Sequence, residues 1–211
     1  AFVWPYPVAL LVGYLFGSLP TGLFITRFAG LGDIRAIGSG NIGATNVLRT
    51  GRKDLAALTL LIDLLKGALP VWLAWRLGQD MAVLAALGAV LGHCFPVWLG
   101  FKGGKAVATA AGAILMLSWP VGLATFAVWL ITALIWRMAS LAALVASLAG
   151  PAIAWFFANQ PIGDRYFADV QRFQMIAVIG LIVIWRHHAN IRRLLAGQEP
   201  KIGASKPDPK Q

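Results

Sequence analysis

The feature that most constrains this chain is a succession of apolar runs, each about as long as a lipid bilayer is thick. Residues 5–26, 54–75 and 81–98 each approach the roughly 20 residues an α-helix needs to cross the hydrocarbon core. Residues 107–136 are harder to read, as one tilted helix of thirty residues or as two shorter helices broken at Ser118–Trp119–Pro120. Proline suits a first helical turn and disfavours helix in the residue before it, so the break is chemically reasonable. Two further apolar stretches follow at 138–158 and 173–185, the last one short.

Charge chooses between six spans and seven. With a break at 118–120, fourteen of the 18 Lys and Arg residues fall on one side; Arg76, Arg165 and Arg172 fall on the other, and Lys66 lies inside a span. Without the break the count is nine against eight, which is no bias. Cytoplasmic loops are the Lys/Arg-rich ones, so the reading is an all-α polytopic membrane protein with seven transmembrane helices, N-terminus outside and C-terminus cytoplasmic. Composition agrees, with 59% hydrophobic and 12% charged residues against about 25% charged in soluble domains. Trp4, Trp72, Trp98, Trp119, Trp136 and Trp185 flank the runs, where indole rings favour the membrane interface. The formal charge of +10 is spread over loops, so it reads as a topology signal and not as a nucleic-acid surface. A lone cysteine, Cys94, excludes an intramolecular disulfide framework. Residues 1–200 form one transmembrane domain, and residues 201–211, KIGASKPDPKQ, read as a disordered basic tail.

On this topology four polar stretches share the cytoplasmic face: GSGNIGATNVLR (38–49), FKGGKAVAT (101–109), RMAS (137–140) and RHHANIRRLLAGQE (186–199). Their convergence points to one site. Glycine-rich backbone exposes N–H groups to an anion and Arg or Lys supplies full charge, so the site should bind phosphate groups. Candidate binding residues are Gly38, Gly40, Asn41, Gly43 and Thr45 in the first stretch, with Ser39, Asn46 and Arg49. Gly103 and Gly104 in the second should let backbone amides approach an anion, with Lys102 and Lys105 as point charges.

GSGNIG spells the Gly-x-Gly-x-x-Gly dinucleotide fingerprint, and Asp63 stands twenty positions after Gly43. That motif needs a strand before it and a helix opening at the glycines, whereas here both flanks are membrane spans. GFKGGKA resembles a Walker A loop one residue short, with Ala106 in the place of the Mg-binding hydroxyl, so ATP hydrolysis is disfavoured. Asp63 and Lys66 are three apart in the second span and share a helical face, where an ion pair would hold that span against its neighbours. His187 lies three residues before Asn190, so the two could face one substrate.

At these residues the chain closely resembles the bacterial acyl-phosphate:glycerol-3-phosphate acyltransferases, integral membrane enzymes that begin phospholipid synthesis. The likeness rests on GSGNIGATNVLR, on HCFPVWLGFKGGKAVAT from His93 to Thr109, and on RHHANIRRLLAGQE, and covers nearly the whole chain. It implies transfer of a fatty acyl group from acyl-phosphate to the 1-hydroxyl of sn-glycerol 3-phosphate at the cytoplasmic side of the bacterial inner membrane, giving lysophosphatidic acid and phosphate. It further implies catalytic roles for Ser39, Arg49, His187 and Asn190, a phosphate loop at Gly103 and Gly104 with Lys102, a substrate-contacting Ser140, and a structural Glu199. No metal or organic cofactor is implied. Two positions depart from the family pattern: Ala106 stands where glycine is common, and Gln198 where threonine is.

Acyl-phosphate is already an activated mixed anhydride, so direct attack by the glycerol hydroxyl needs two phosphate sites and alignment, and no covalent acyl-enzyme. The chain lacks a nucleophile elbow, and the His-x-x-x-x-Asp motif of acyl-CoA-using enzymes is absent, since Trp98 follows His93 and Arg192 follows His187 at that spacing. The base is either His187 or the substrate's own phosphate. An organic-phosphate transporter is the alternative from another class, but it would show paired halves with mid-membrane charges in both. A transferase using a CDP-activated lipid would need clustered metal-binding aspartates, and the eight acids are scattered.

Overall fold

The computed structural model describes residues 4–37, 40–162, 164 and 166–203. Its regular elements are helical throughout: α1 (Pro5–Gly17), α2 (Thr21–Phe28), α3 (Ala44–Val47), α4 (Lys53–Ala74), α5 (Gln79–Cys94), α6 (Val107–Leu117), α7 (Trp119–Trp136), α8 (Ala139–Asn159), α9 (Val170–Arg186) and α10 (His188–Leu195), with short 3-10 turns between some of them.

Among the described residues, length and apolarity qualify five stretches to cross a membrane: 5–28, 53–74, 79–99, 119–136 and 139–159. The expected break in the long fourth run is present. Ser118 is extended (φ −157°), and Trp119 and Pro120 open α7, as proline in a first turn should. The break leaves α6 only eleven residues, about 16 Å at 1.5 Å per residue, which is half the hydrocarbon thickness. The run expected at 5–26 is itself divided, because Ser18–Pro20 interrupts it between α1 and α2. The last apolar helix begins at Val170 and runs seventeen residues.

Glycine sets how closely these helices approach. A Cβ at Gly13 or Gly17 would lie 2.2 or 2.0 Å from the carbonyl oxygen of Ala85 or Ala89; one at Gly88 or Gly92 would meet Leu10 or Tyr14 oxygen at 2.2 or 2.1 Å. Two Gly-x-x-x-Gly pairs thus press the α1 and α5 backbones together. Lipid supplies no hydrophobic drive between helices, so such close van der Waals contact is what holds them. The same device joins α4 to α6: a Cβ at Gly67 would lie 2.0 Å from Thr109 oxygen, and one at Gly112 would lie 2.0 Å from Leu64 oxygen. The remaining large contacts run α7 to α8 and α8 to α9.

The charged pair in α4 lies where α2, α5 and α6 meet it. Lys66 Nζ is 2.8 Å from Asp63 Oδ1, and both side chains are almost fully buried. Thr21 Oγ1 donates to the same carboxylate oxygen at 2.5 Å, and Lys66 donates to the Leu19 carbonyl at 2.8 Å, in the break between α1 and α2. His93 Nδ1 lies 3.8 Å from Asp63 and 3.1 Å from Thr109 Oγ1. Outside, the surface is apolar. The six flanking tryptophans are all exposed, as are Leu60, Leu61, Leu134, Ile135 and Leu148. At the end of the bundle away from the glycine motifs, Gln79 bridges Asp169, Gln171 and Arg172, tying the start of α5 to that of α9.

Candidate active site

The second glycine stretch forms a tight return from α5 to α6. Gly100, Phe101 and Ala106 all take left-handed backbone, with φ of +57°, +63° and +58°. For Phe101 and Ala106 that conformation is unfavourable, so surrounding bonds must hold it. Gly103 N–H donates to the Cys94 carbonyl (3.1 Å) and Gly104 N–H to the His93 carbonyl (3.0 Å). The carbonyls of Gly103 and Gly104 in turn each accept a 3.0 Å hydrogen bond from the Arg186 guanidinium. These amides are therefore occupied, contrary to the expectation that Gly103 and Gly104 present them to an anion. The glycines are needed instead for space: a Cβ on Gly104 would lie 2.1 Å from His93 Nε2, and one on Gly103 would lie 2.2 Å from His93 oxygen.

Anchored in this way, the loop aims Lys105 at the third stretch. Lys105 Nζ donates to Asn190 Oδ1 at 2.5 Å. Asn190 Nδ2 donates to Glu199 Oε1 at 2.6 Å, which also accepts from Ser140 Oγ at 2.6 Å, while Arg193 Nε donates to Oε2 at 2.7 Å. One carboxylate thus gathers the start of α8, the helix α10 and, through Asn190, the glycine loop. Burial raises the Glu199 pKa, but hydrogen bonds from Ser140, Asn190 and Arg193 outweigh it, so the group lies below its ordinary value and is anionic. Nearby, the Ile202 N–H donates to the Arg137 carbonyl at 2.6 Å, so this residue of the expected tail is bonded to the chain just before α8.

His187 stands at the junction of α9 and α10 and is 3% exposed. Its Nδ1 is 2.7 Å from the Val183 carbonyl. A carbonyl only accepts, so Nδ1 carries the proton and Nε2 the lone pair. Burial, with nearby Lys105 adding, pushes the imidazole pKa down to about 4 against the favourable Val183 bond. Lys105 is pushed down to about 8, first by burial; Glu199 opposes the shift, and Arg193, Arg186 and Arg49 reinforce it.

The first stretch folds over this loop. Asn46 is buried, and its amide nitrogen donates to the carbonyls of Ile34, Ile37 and Asn41 at 3.0, 3.0 and 2.8 Å. Asn46 therefore shapes the loop from within, where the sequence offered it as one of the loop's groups for phosphate. Gly43 N–H donates to Asn41 Oδ1 at 3.2 Å. That oxygen would lie 3.2 Å from a Cβ on Gly104, so the Asn41 side chain reaches the second loop. Gly40 is left-handed (φ +69°). Arg49 and Thr45 are exposed, and Lys102 stands exposed at the rim. Gly38 and Ser39 lie outside the described residues.

The structure thus brings together Lys105, Asn190, Ser140 and Glu199 by direct bonds, with His187 and Arg49 within electrostatic reach and Asn41 against the loop. Sequence reasoning gave no role to Arg186. Its signal was present only as the basic residue opening the third stretch, and no spacing rule links it to Gly103. Chemically the cluster offers several cations beside a neutral imidazole whose unprotonated nitrogen can accept a proton. Among the described residues, no three His, Cys, Asp or Glu side chains come together to hold a metal ion.

Comparison with known proteins bears on this arrangement. A family model described as "Glycerol-3-phosphate acyltransferase" matches residues 7–197. The glycerol-3-phosphate acyltransferase of Erythrobacter litoralis is 54% identical over 196 residues, covering 93% of this chain and 94% of the relative. That of Paramagnetospirillum magneticum is 56% identical over 199 residues, 94% of each. Among solved structures, PlsY (YgiH), an integral membrane glycerol 3-phosphate acyltransferase, superposes in its glycerol 3-phosphate form with a TM-score of 0.83 at 39% identity, covering 94% of this chain and 96% of that one. A second PlsY structure, the lysophosphatidic acid form, gives 0.81 at 38% identity, with coverage of 94% and 95%.

Proposed function

The chain belongs to the glycerol-3-phosphate acyltransferase family, and from that premise we propose that it moves a fatty acyl group from acyl-phosphate to the 1-hydroxyl of sn-glycerol 3-phosphate. The hydroxyl oxygen attacks the acyl carbonyl, the acyl–phosphate bond breaks, and the hydroxyl proton leaves to a base. The products are lysophosphatidic acid and inorganic phosphate. Because the donor is already activated, transfer is direct and no acyl-enzyme forms.

The observation that carries this reading is the junction of Lys105, Asn190 and Glu199 beside a neutral His187. Arg49, Lys102, Lys105, Ser140, His187 and Asn190 hold the glycerol 3-phosphate, with side-chain charge doing what the occupied loop amides at 103 and 104 cannot. Ser39, with Gly38, Gly40, Asn41, Gly43 and Thr45, holds the acyl-phosphate. His187 Nε2 is placed to accept the proton, and the donor's phosphate oxygen is the other base available. The acyl tail lies among the apolar helices. We further propose seven spans, with α6 and α9 the two shorter ones, the N-terminus outside, and the site on the cytoplasmic face of the bacterial inner membrane.

Purified protein in detergent, given acyl-phosphate and glycerol 3-phosphate, should release phosphate and form lysophosphatidic acid. Folded protein that releases none with acyl-phosphate but transfers from acyl-CoA would replace the donor; inactivity with both would defeat the reading.

A further inference from the structure

We propose that Arg186 is a positioning residue for the transfer reaction, holding the Gly103–Gly104 segment so that Lys105 meets Asn190 and the incoming phosphate; the inference rests on the function proposed above. Its Nε donates to Gly104 oxygen and its Nη2 to Gly103 oxygen, each at 3.0 Å. On the other edge of the same two residues, the amides donate to His93 and Cys94. The segment is thereby fixed on four sides, and two of the four bonds come from one guanidinium.

The bracket around Arg186 keeps that grip firm. Its Cζ lies 5.3 Å from the Phe95 ring centroid and 5.9 Å from that of Trp185, and those two rings pack at 5.8 Å. Aromatic faces attract the cation and exclude water that would compete for its N–H groups. Arg186 also directly precedes His187, so the grip on the loop carrying Lys105 comes from the residue next to the imidazole. The loop needs such support because Phe101 and Ala106 hold left-handed backbone at either end of it. A lysine could supply the charge but not two parallel donors in one plane.

The test compares Arg186→Lys, which keeps charge and loses the fork, with Arg186→Gln, which loses both. Positioning predicts that each raises the KM for glycerol 3-phosphate about tenfold or more, the scale of one lost hydrogen bond to a charged group, while kcat falls less. The alkaline limb of the pH profile separates geometry from charge. Lys105 is faced by Glu199, Arg193, Arg186 and Arg49, so removing the Arg186 charge in the glutamine variant should move the limb to higher pH, whereas the lysine variant should leave it in place. Wild-type KM in folded Arg186→Lys overturns the proposal. If neither variant folds, amide exchange on the wild-type chain in detergent decides: the peptide covering 101–106 should exchange as slowly as α6, and exchange as fast as an exposed loop overturns it. That arm needs no turnover, so a failure of the proposed activity is distinguishable from a failure of this inference.

Discussion

Ala106 shows how a single position records the constraint on a loop. Its φ of +58° lies where glycine is at home: the left-handed region costs an alanine about 1–2 kcal/mol, while glycine enters it freely but has more freedom to lose on folding. The two effects nearly offset, so Ala106→Gly should leave thermal stability within a few degrees of wild type, whereas Ala106→Val, β-branched at positive φ, should lower folded yield sharply; a thermal melt in detergent reads both. The ionisable pair at the site makes a second prediction. In the proposed reaction His187 acts neutral and Lys105 charged. His187, depressed to about 4, loses its proton and gains base character as pH rises through that value, and Lys105, depressed to about 8, loses its charge as pH rises through the higher one. The pH profile of kcat/KM should therefore have a plateau between them and an alkaline limb near 8; a limb near the ordinary lysine value of about 10.4 would show that Lys105 is not the group observed.

At the scale of elements, the ion pair in α4 is a tie between helices. Asp63 accepts from Thr21 and Lys66, and Lys66 also holds the Leu19 carbonyl, so the pair binds α4 to the break between α1 and α2. Removing one member of a buried pair leaves an uncompensated charge, at a cost of about 3–5 kcal/mol. Asp63→Ala should reduce the yield of monodisperse protein, while Lys66→Met with Asp63→Leu should recover part of it. A well-folded but inactive Asp63→Ala would move the pair from structure to catalysis. The sequence showed the pair, since i,i+3 spacing in a span is visible by inspection. It could not show Thr21 or His93 as neighbours, because those contacts join residues 42 and 30 positions away. The Gly-x-x-x-Gly pairs at 13/17 and 88/92 are as visible in the sequence as the ion pair, but which pair meets which is a property of helix packing alone.

For the molecule as a whole, apolar helices and charge asymmetry set the topology proposal. A reporter fused after Gln211 should read as cytoplasmic; an extracellular signal would reverse the orientation and move the proposed site to the opposite face. Run length and proline placement alone already gave a helical, membrane-embedded chain with a break at Ser118–Pro120, and the structure agrees; the phosphate role of the polar stretches is likewise a reading of the residues and belongs to the function proposed. These follow from local facts: run length against bilayer thickness, proline sterics, and the donor and charge content of short motifs. How these motifs use their groups emerges from the packing of the helices. Gly103 and Gly104 serve close packing with occupied amides, Asn46 turns inward to shape its loop, and Arg186 grips a segment 82 residues away from it in the chain. The physical reason is that a hydrogen-bonding group's use depends on which partner reaches it first, and that partner comes from another helix whose approach is set by small residues remote in sequence.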